Sequence, residues 1–110
     1  LLELVQGSLD GVKAINITTL NLVGKTNFAD YMVIATGTSQ RHVNTMANRV
    51  AKDLKKIGIL NISIEGSSKG NWVLIDGGDI IVNLFRAEVR ALYDLERLWG
   101  SSMPKPDKVA

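Results

Sequence analysis

Apolar positions along the chain change their period several times, and each change marks an element. From Leu1 to Asp10, the residues Leu1, Leu2, Val5 and Leu9 fall on one helical stripe, with Gly7 as a weak point and Gly11 as the stop. Ile15 to Leu22 is rich in β-branched residues and partly alternates, which predicts a strand; Gly24 to Asn27 is a turn. Tyr31-Met32-Val33-Ile34-Ala35-Thr36 is a short apolar run with the look of a strand buried on both faces. It ends at Gly37-Thr38-Ser39, where Thr38 or Ser39 can cap a helix. In that helix Val43, Met46, Ala47, Val50, Ala51, Leu54 and Ile57 recur at helical spacing without a break. Lysines fill its last turn, and Gly58 suits its C-terminal cap. Asn61 to Gly66 alternates as a half-exposed strand, and a glycine-serine-lysine loop follows from Gly66 to Asn71. Trp72–Ile75 and Ile80–Phe85 flank Asp76-Gly77-Gly78-Asp79, a hairpin signal. A last helix starts at Ala87 and carries Val89, Leu92, Leu95 and Leu98; Pro104 and Pro106 mark a polar tail read as unstructured.

The order helix, strand, strand, helix, three strands, helix predicts an α/β fold: a mixed five-stranded sheet with flanking helices. No repeat or internal linker interrupts it, so residues 1–100 read as one domain and residues 101–110 as a flexible tail. At 110 residues the chain has the size of a single core, and 45% hydrophobic with 22% charged residues is ordinary globular usage. The absence of cysteine removes disulfides, thiolate nucleophiles and Cys-ligated metals; one histidine, His42, leaves no histidine-rich zinc site. No apolar run approaches the roughly 18–20 residues that span a bilayer, and no Arg-rich leader or cleavable signal is visible. The first residue is Leu rather than Met, so a leading segment can be missing; the expectation is a cytoplasmic protein.

The net charge of +2 is too small for a dedicated nucleic-acid binder, but its distribution is uneven. From Ser39 to Ile57, Arg41, Arg49, Lys52, Lys55 and Lys56 stand against Asp53 alone. From Glu65 to Trp99 acids outnumber bases, with Glu65, Asp76, Asp79, Glu88, Asp94 and Glu96 against Lys69, Arg86, Arg90 and Arg97. Gly37-Thr38-Ser39 could offer backbone N–H groups to a phosphate, but it matches neither a Walker A loop nor a GxGxxG, and the simpler reading is a turn with an N-cap. Asp76 and Asp79 could be metal carboxylates, yet the two glycines between them read as a hairpin tip that splits the pair. His42 lies three residues from Ser39 with no orienting acid, and a lone histidine in a first helical turn reads as solvated. The basic helix could meet phosphates, although no aromatic lies among its charges to stack on a base, and a solvated face is the default. Phe85 reads as core. Trp72, Tyr93 and Trp99 stand where some can reach the surface, and aromatics beside acids make an anchor for a basic protein partner. The residues thus favour a small binding module over an enzyme.

Three segments together carry a resemblance. They are Ala29 to Ser39 with Arg41-His42-Val43; Glu65-Gly66 leading to Gly70-Asn71-Trp72-Val73-Leu74-Ile75-Asp76-Gly77-Gly78-Asp79; and Phe85 to Trp99, with Glu88, Arg90, Tyr93, Leu95, Glu96, Leu98 and Trp99. Over Leu1 to Trp99 the chain resembles the ribosomal silencing factor family (RsfS, also called Iojap). The resemblance implies a domain related to the nucleotidyltransferase fold but without its catalytic carboxylates, and so no enzyme, cofactor or metal. It implies binding to the large ribosomal subunit through that subunit's fourteenth protein, a steric block to joining of the small subunit, and a homodimer when free. No membrane and no sequence-specific nucleic acid is expected as partner. On the family pattern the docking role falls to Trp72, Leu74, Asp76, Asp79, Tyr93, Asp94 and Glu96, with Trp72 and Tyr93 supplying contact area and the acids charge-assisted bonds. Trp99 fits either core or interface. Asn83 stands where the family often has histidine, and it cannot titrate near neutral pH. Two alternatives remain: a metal-dependent nucleotidyltransferase-like enzyme using Ser39, Asp76 and Asp79, and an RNA-binding module using the Arg41–Lys56 helix.

Overall fold

The strands assemble into one mixed sheet in the order β1-β2-β5-β4-β3. The computed structural model describes residues 1–66 and 71–93. Its elements are α1 (Leu2–Gly11), β1 (Ile15–Asn21), β2 (Tyr31–Gly37), α2 (Gln40–Lys56), β3 (Ser63–Glu65), β4 (Trp72–Asp76), β5 (Ile80–Arg86) and α3 (Ala87–Tyr93). The pairs β1/β2, β4/β5 and β3/β4 are antiparallel, and β2/β5 is parallel. The expected mixed five-stranded sheet is therefore the one observed. Leu95, Leu98 and Trp99, the loop at 67–70 and the tail with Pro104 and Pro106 lie outside the described residues.

Two strands depart from the reading of the sequence. β3 is three residues long rather than the span from Asn61 to Gly66. Its register sets Ser63 opposite Asp76, the last residue of β4, so Asn61 and Ile62 have no strand to pair with. The irregular alternation of β1 comes from a register shift between Ile15 and Thr18, where Asn16 takes a positive φ of 51°.

Side chains of successive strand residues point to opposite faces, so the sheet builds two cores. On one face Val33, Ala35, Val73, Ile75, Val82 and Leu84 meet Val5 and Leu9 of α1 and Val43, Met46, Ala47, Val50 and Leu54 of α2. On the other, Met32, Ile34, Trp72, Leu74, Ile81 and Phe85 form a second cluster with Leu22, Ala29 and Val89. The central strands β2 and β5 are buried on both faces, as the unbroken apolar run of β2 requires.

The clearest helix of the sequence, α2, begins where Ser39 Oγ accepts the His42 N–H at 3.0 Å. It closes at Gly58, whose φ of 92° is the left-handed region that glycine enters freely, with the Ile59 N–H on the Leu54 carbonyl at 3.1 Å. Gly37 serves packing: a Cβ there would stand 2.8 Å from Val43 Cγ2 and 3.0 Å from Met46 Sδ. Helix α1 is tied to α2 by Ser8, whose hydroxyl meets Asp53 Oδ2 at 2.5 Å, while Arg49 Nε donates to the same oxygen at 3.0 Å. The Ser8 hydrogen bond, then Arg49 and Lys56, hold the Asp53 carboxyl below its ordinary range against the opposing effect of desolvation.

A candidate docking face on the sheet

Trp72, Leu74 and Asp76 alternate along β4 onto the sheet face away from α1 and α2, because every second side chain of a strand shares a face. The antiparallel register places Phe85 opposite Trp72, Asn83 opposite Leu74 and Ile81 opposite Asp76. Trp72 stacks on Phe85 with ring centroids 4.9 Å apart and planes inclined by 29°. Its indole Nε1 donates to Asn83 Oδ1 at 2.7 Å. An indole N–H can only donate, so the amide oxygen must face it and Nδ2 is turned away. Asn83 is fully buried, and Nδ2 has no hydrogen-bond partner among the described residues.

These facts correct one expectation. Trp72 is only 2% exposed and Leu74 only 7%, so neither is an open contact surface in the free chain. The stack on Phe85 and the bond to Asn83 make Trp72 the floor of this face. Asp76 and Asp79, by contrast, are both exposed on the hairpin. Asp76 Oδ1 accepts the Gly78 N–H at 2.9 Å, and Gly78 has a φ of 91°. The Asp79 carbonyl accepts the N–H groups of Asp30 at 2.8 Å and Tyr31 at 3.2 Å, which ties the hairpin tip to the start of β2. Tyr93 ends the described part of α3. Asp94 and Glu96 lie outside the described residues.

Helix α3 is fixed across the same face by Arg90. Its guanidinium donates to the Asn16 carbonyl at 2.5 Å, to Thr18 Oγ1 at 2.9 Å and to Thr36 Oγ1 at 2.9 Å. The strained residue of the β1 bulge, Asn16, thereby presents its carbonyl to a cation, and Val89 packs on the second cluster beside it. The sequence carries no local sign of this arrangement, since Arg90 lies 54 to 74 positions from its partners. The one visible hint is Thr36, near the end of the otherwise apolar run of β2.

His42 also differs from its reading as a solvated residue. Nδ1 accepts the Thr38 N–H at 2.9 Å, so in the neutral ring the hydrogen sits on Nε2, which donates to the Val12 carbonyl at 2.8 Å. The imidazole thus joins the end of α1 to the start of α2. It also occupies the Thr38 N–H that a phosphate would need. The arrangement of Ser39, Asp76 and Asp79 as one metal-dependent site fails on geometry. Parallel pairing runs from Tyr31 beside Ile80 to Gly37 beside Arg86, so Ser39 follows one end of β2 and the hairpin tip precedes the other. Six strand intervals separate those ends by about 20 Å.

Comparisons with known proteins agree with the fold. The model of the family described as ribosomal silencing factor during starvation (RsfS) matches residues 1–110. A Zymomonas mobilis protein named ribosomal silencing factor RsfS is 51% identical over 100 residues, covering 91% of this chain and 75% of that protein. Its namesake in Haemophilus influenzae is 36% identical over 100 residues, 91% of this chain and 98% of the relative. The crystal structure of a Chromobacterium violaceum protein matches with a TM-score of 0.86 at 37% identity, over 94% of this chain and 87% of that one.

Proposed function

The chain belongs to the ribosomal silencing factor family, and we propose that it silences by docking on the large ribosomal subunit, through that subunit's fourteenth protein, and so excluding the small subunit. The mechanism is steric: no bond is made or broken, and no cofactor or metal takes part. The protein works in the cytoplasm and is a homodimer when free.

The observation that carries this reading is the composition of the sheet face opposite α1 and α2. Trp72, Leu74 and Phe85, packed beneath the surface of this face, lead to two exposed carboxylates, Asp76 and Asp79. Ribosomal proteins are generally basic, and carboxylates beside an apolar floor would steer such a partner and then bond its Arg or Lys side chains. On the family pattern Tyr93, Asp94 and Glu96 would belong to the same site. Trp72 and Leu74 act here by shaping the floor.

Co-sedimentation with separated subunits tests the proposal. Wild-type protein pellets with the large subunit alone and lowers the yield of joined ribosomes when the small subunit is added. Asp76→Asn with Asp79→Lys removes both carboxylates while the amide oxygen at position 76 can still accept the Gly78 N–H, so it keeps the thermal midpoint and weakens pelleting by at least about tenfold, roughly 1.4 kcal/mol. Pelleting with neither subunit, or an unaltered affinity of the double variant, would refute the role or the site respectively.

A further inference from the structure

Helix α2 presents to solvent a face that the docking site does not use. Arg41, Thr45, Asn48, Arg49, Lys52, Lys55 and Lys56 are all exposed, while the opposite stripe of the helix is buried against the sheet. At 100° and 1.5 Å per residue, Arg41, Lys52 and Lys56 fall within about 60° of one another along about 22 Å of helix. The only carboxylate in α2, Asp53, is already taken by Arg49 and Ser8. Among the described residues, Arg41, Lys52, Lys55 and Lys56 have no carboxylate within ion-pair distance. Lys52, Lys55 and Lys56 also rim a groove that α2 forms with Ile64 of the edge strand β3. A surface helix kept only for solubility would normally intersperse both signs, because crowded like charges repel one another at a cost in stability.

We propose that this stripe is a second contact surface, which lies along a phosphate backbone of the large subunit's RNA. The partner is a polyanion of regular charge spacing rather than an acidic protein: the cations run the length of the helix, lysine suits phosphate as a point charge, and no aromatic anchor stands among them. The absence of a stacking side chain also means that the backbone is read without regard to sequence. Because α2 covers one face of the sheet and the carboxylate-rimmed floor is the other, both surfaces can be occupied at once. The protein would then be clasped between a basic ribosomal protein and RNA. This inference rests on the ribosome-docking reading above and adds the second partner to it.

The test compares wild type with Lys52→Gln/Lys55→Gln/Lys56→Gln, after matching thermal midpoints establish that the variant is folded. Binding to purified large subunits is followed over a series of salt concentrations. Each phosphate contact removed should make the slope of log K against log salt shallower by about one, so the triple variant should lose about two to three in slope and bind more weakly. Its affinity for the isolated fourteenth protein of the subunit should equal that of wild type. An unchanged slope and affinity on whole subunits would overturn the proposal while leaving the docking reading intact. So would an equal loss against the isolated protein, which would make the stripe a protein contact. Failure of the wild type to bind large subunits would instead remove the reading on which the proposal rests.

Discussion

The two faces of the sheet bury similar sets of aliphatic residues but are finished in different ways. The face under α1 and α2 is closed by helical stripes whose periodicity is complete, and among the described residues its only buried polar member is Ser8. The opposite face holds Asn83 and Thr36 in its interior, a stacked tryptophan with a bonded indole, and an arginine bridging a bulge to two threonines. Apolar packing tolerates many solutions of equal volume, whereas a buried polar group accepts only partners placed at bonding distance. The first face therefore specifies that the chain folds, and the second specifies the shape that it offers to another molecule.

The largest effect expected from this contrast is at Trp72. Trp72→Ala should lower unfolding free energy by about 3–5 kcal/mol, through the cavity beside Phe85 and the orphaned Asn83 carbonyl. Urea titration would measure it, and a loss below about 1 kcal/mol would mean that Trp72 is a surface residue after all. Arg90→Gln removes three hydrogen bonds from a cation and should cost about 1–3 kcal/mol. It should also release amide-exchange protection over residues 87–93, while α2 keeps its own. Protection lost equally in both helices would show that the two faces are not separable. On the helix-packed side, Gly7 is exposed, and a Cβ there meets nothing within 4 Å. Gly7→Ala should therefore stabilise the fold by about 0.5–1 kcal/mol, and a loss in the same titration would argue against a regular α1. The smallest effect concerns Asp53. Its carboxyl is held low in the folded chain by Ser8 and then by Arg49, so it contributes stability above the unfolded value near 4 and loses it as pH falls through the lower folded value. Acid titration of Asp53→Asn should be flatter than that of wild type below about pH 4, and parallel curves would remove Asp53 from the helix contact.

The same contrast explains what the sequence made legible. Helix α2 was readable to its cap and its closing glycine, because periodicity, Ser39 and Gly58 are local signals. The β4–β5 hairpin was readable for the same reason, through Asp76-Gly77-Gly78-Asp79. The shortness of β3 was not, since it depends on where β4 stops rather than on residues 61–66 themselves. The exposed carboxylates of the candidate site followed from turn chemistry. The burial of Trp72 did not, because a tryptophan at a strand start reads alike whether or not Asn83 and Phe85 stand opposite it. Arg90 and His42 escaped in turn because their partners are set by tertiary structure: Thr18 and Thr36 for one, Val12 for the other.

The parallel pairing of β2 with β5 has a consequence in time. These strands adjoin at the centre of the sheet, yet residues 38–79 lie between them. Every other ladder joins strands that are consecutive in the chain. The helical segment and the β4–β5 hairpin can each form early from local contacts, but the sheet becomes continuous only when one long loop closes. Until then β2 has an unpaired apolar edge, open to another chain emerging from a nearby ribosome. The centre of the sheet, rather than its rims, thus sets the folding rate and the interval of greatest exposure to aggregation.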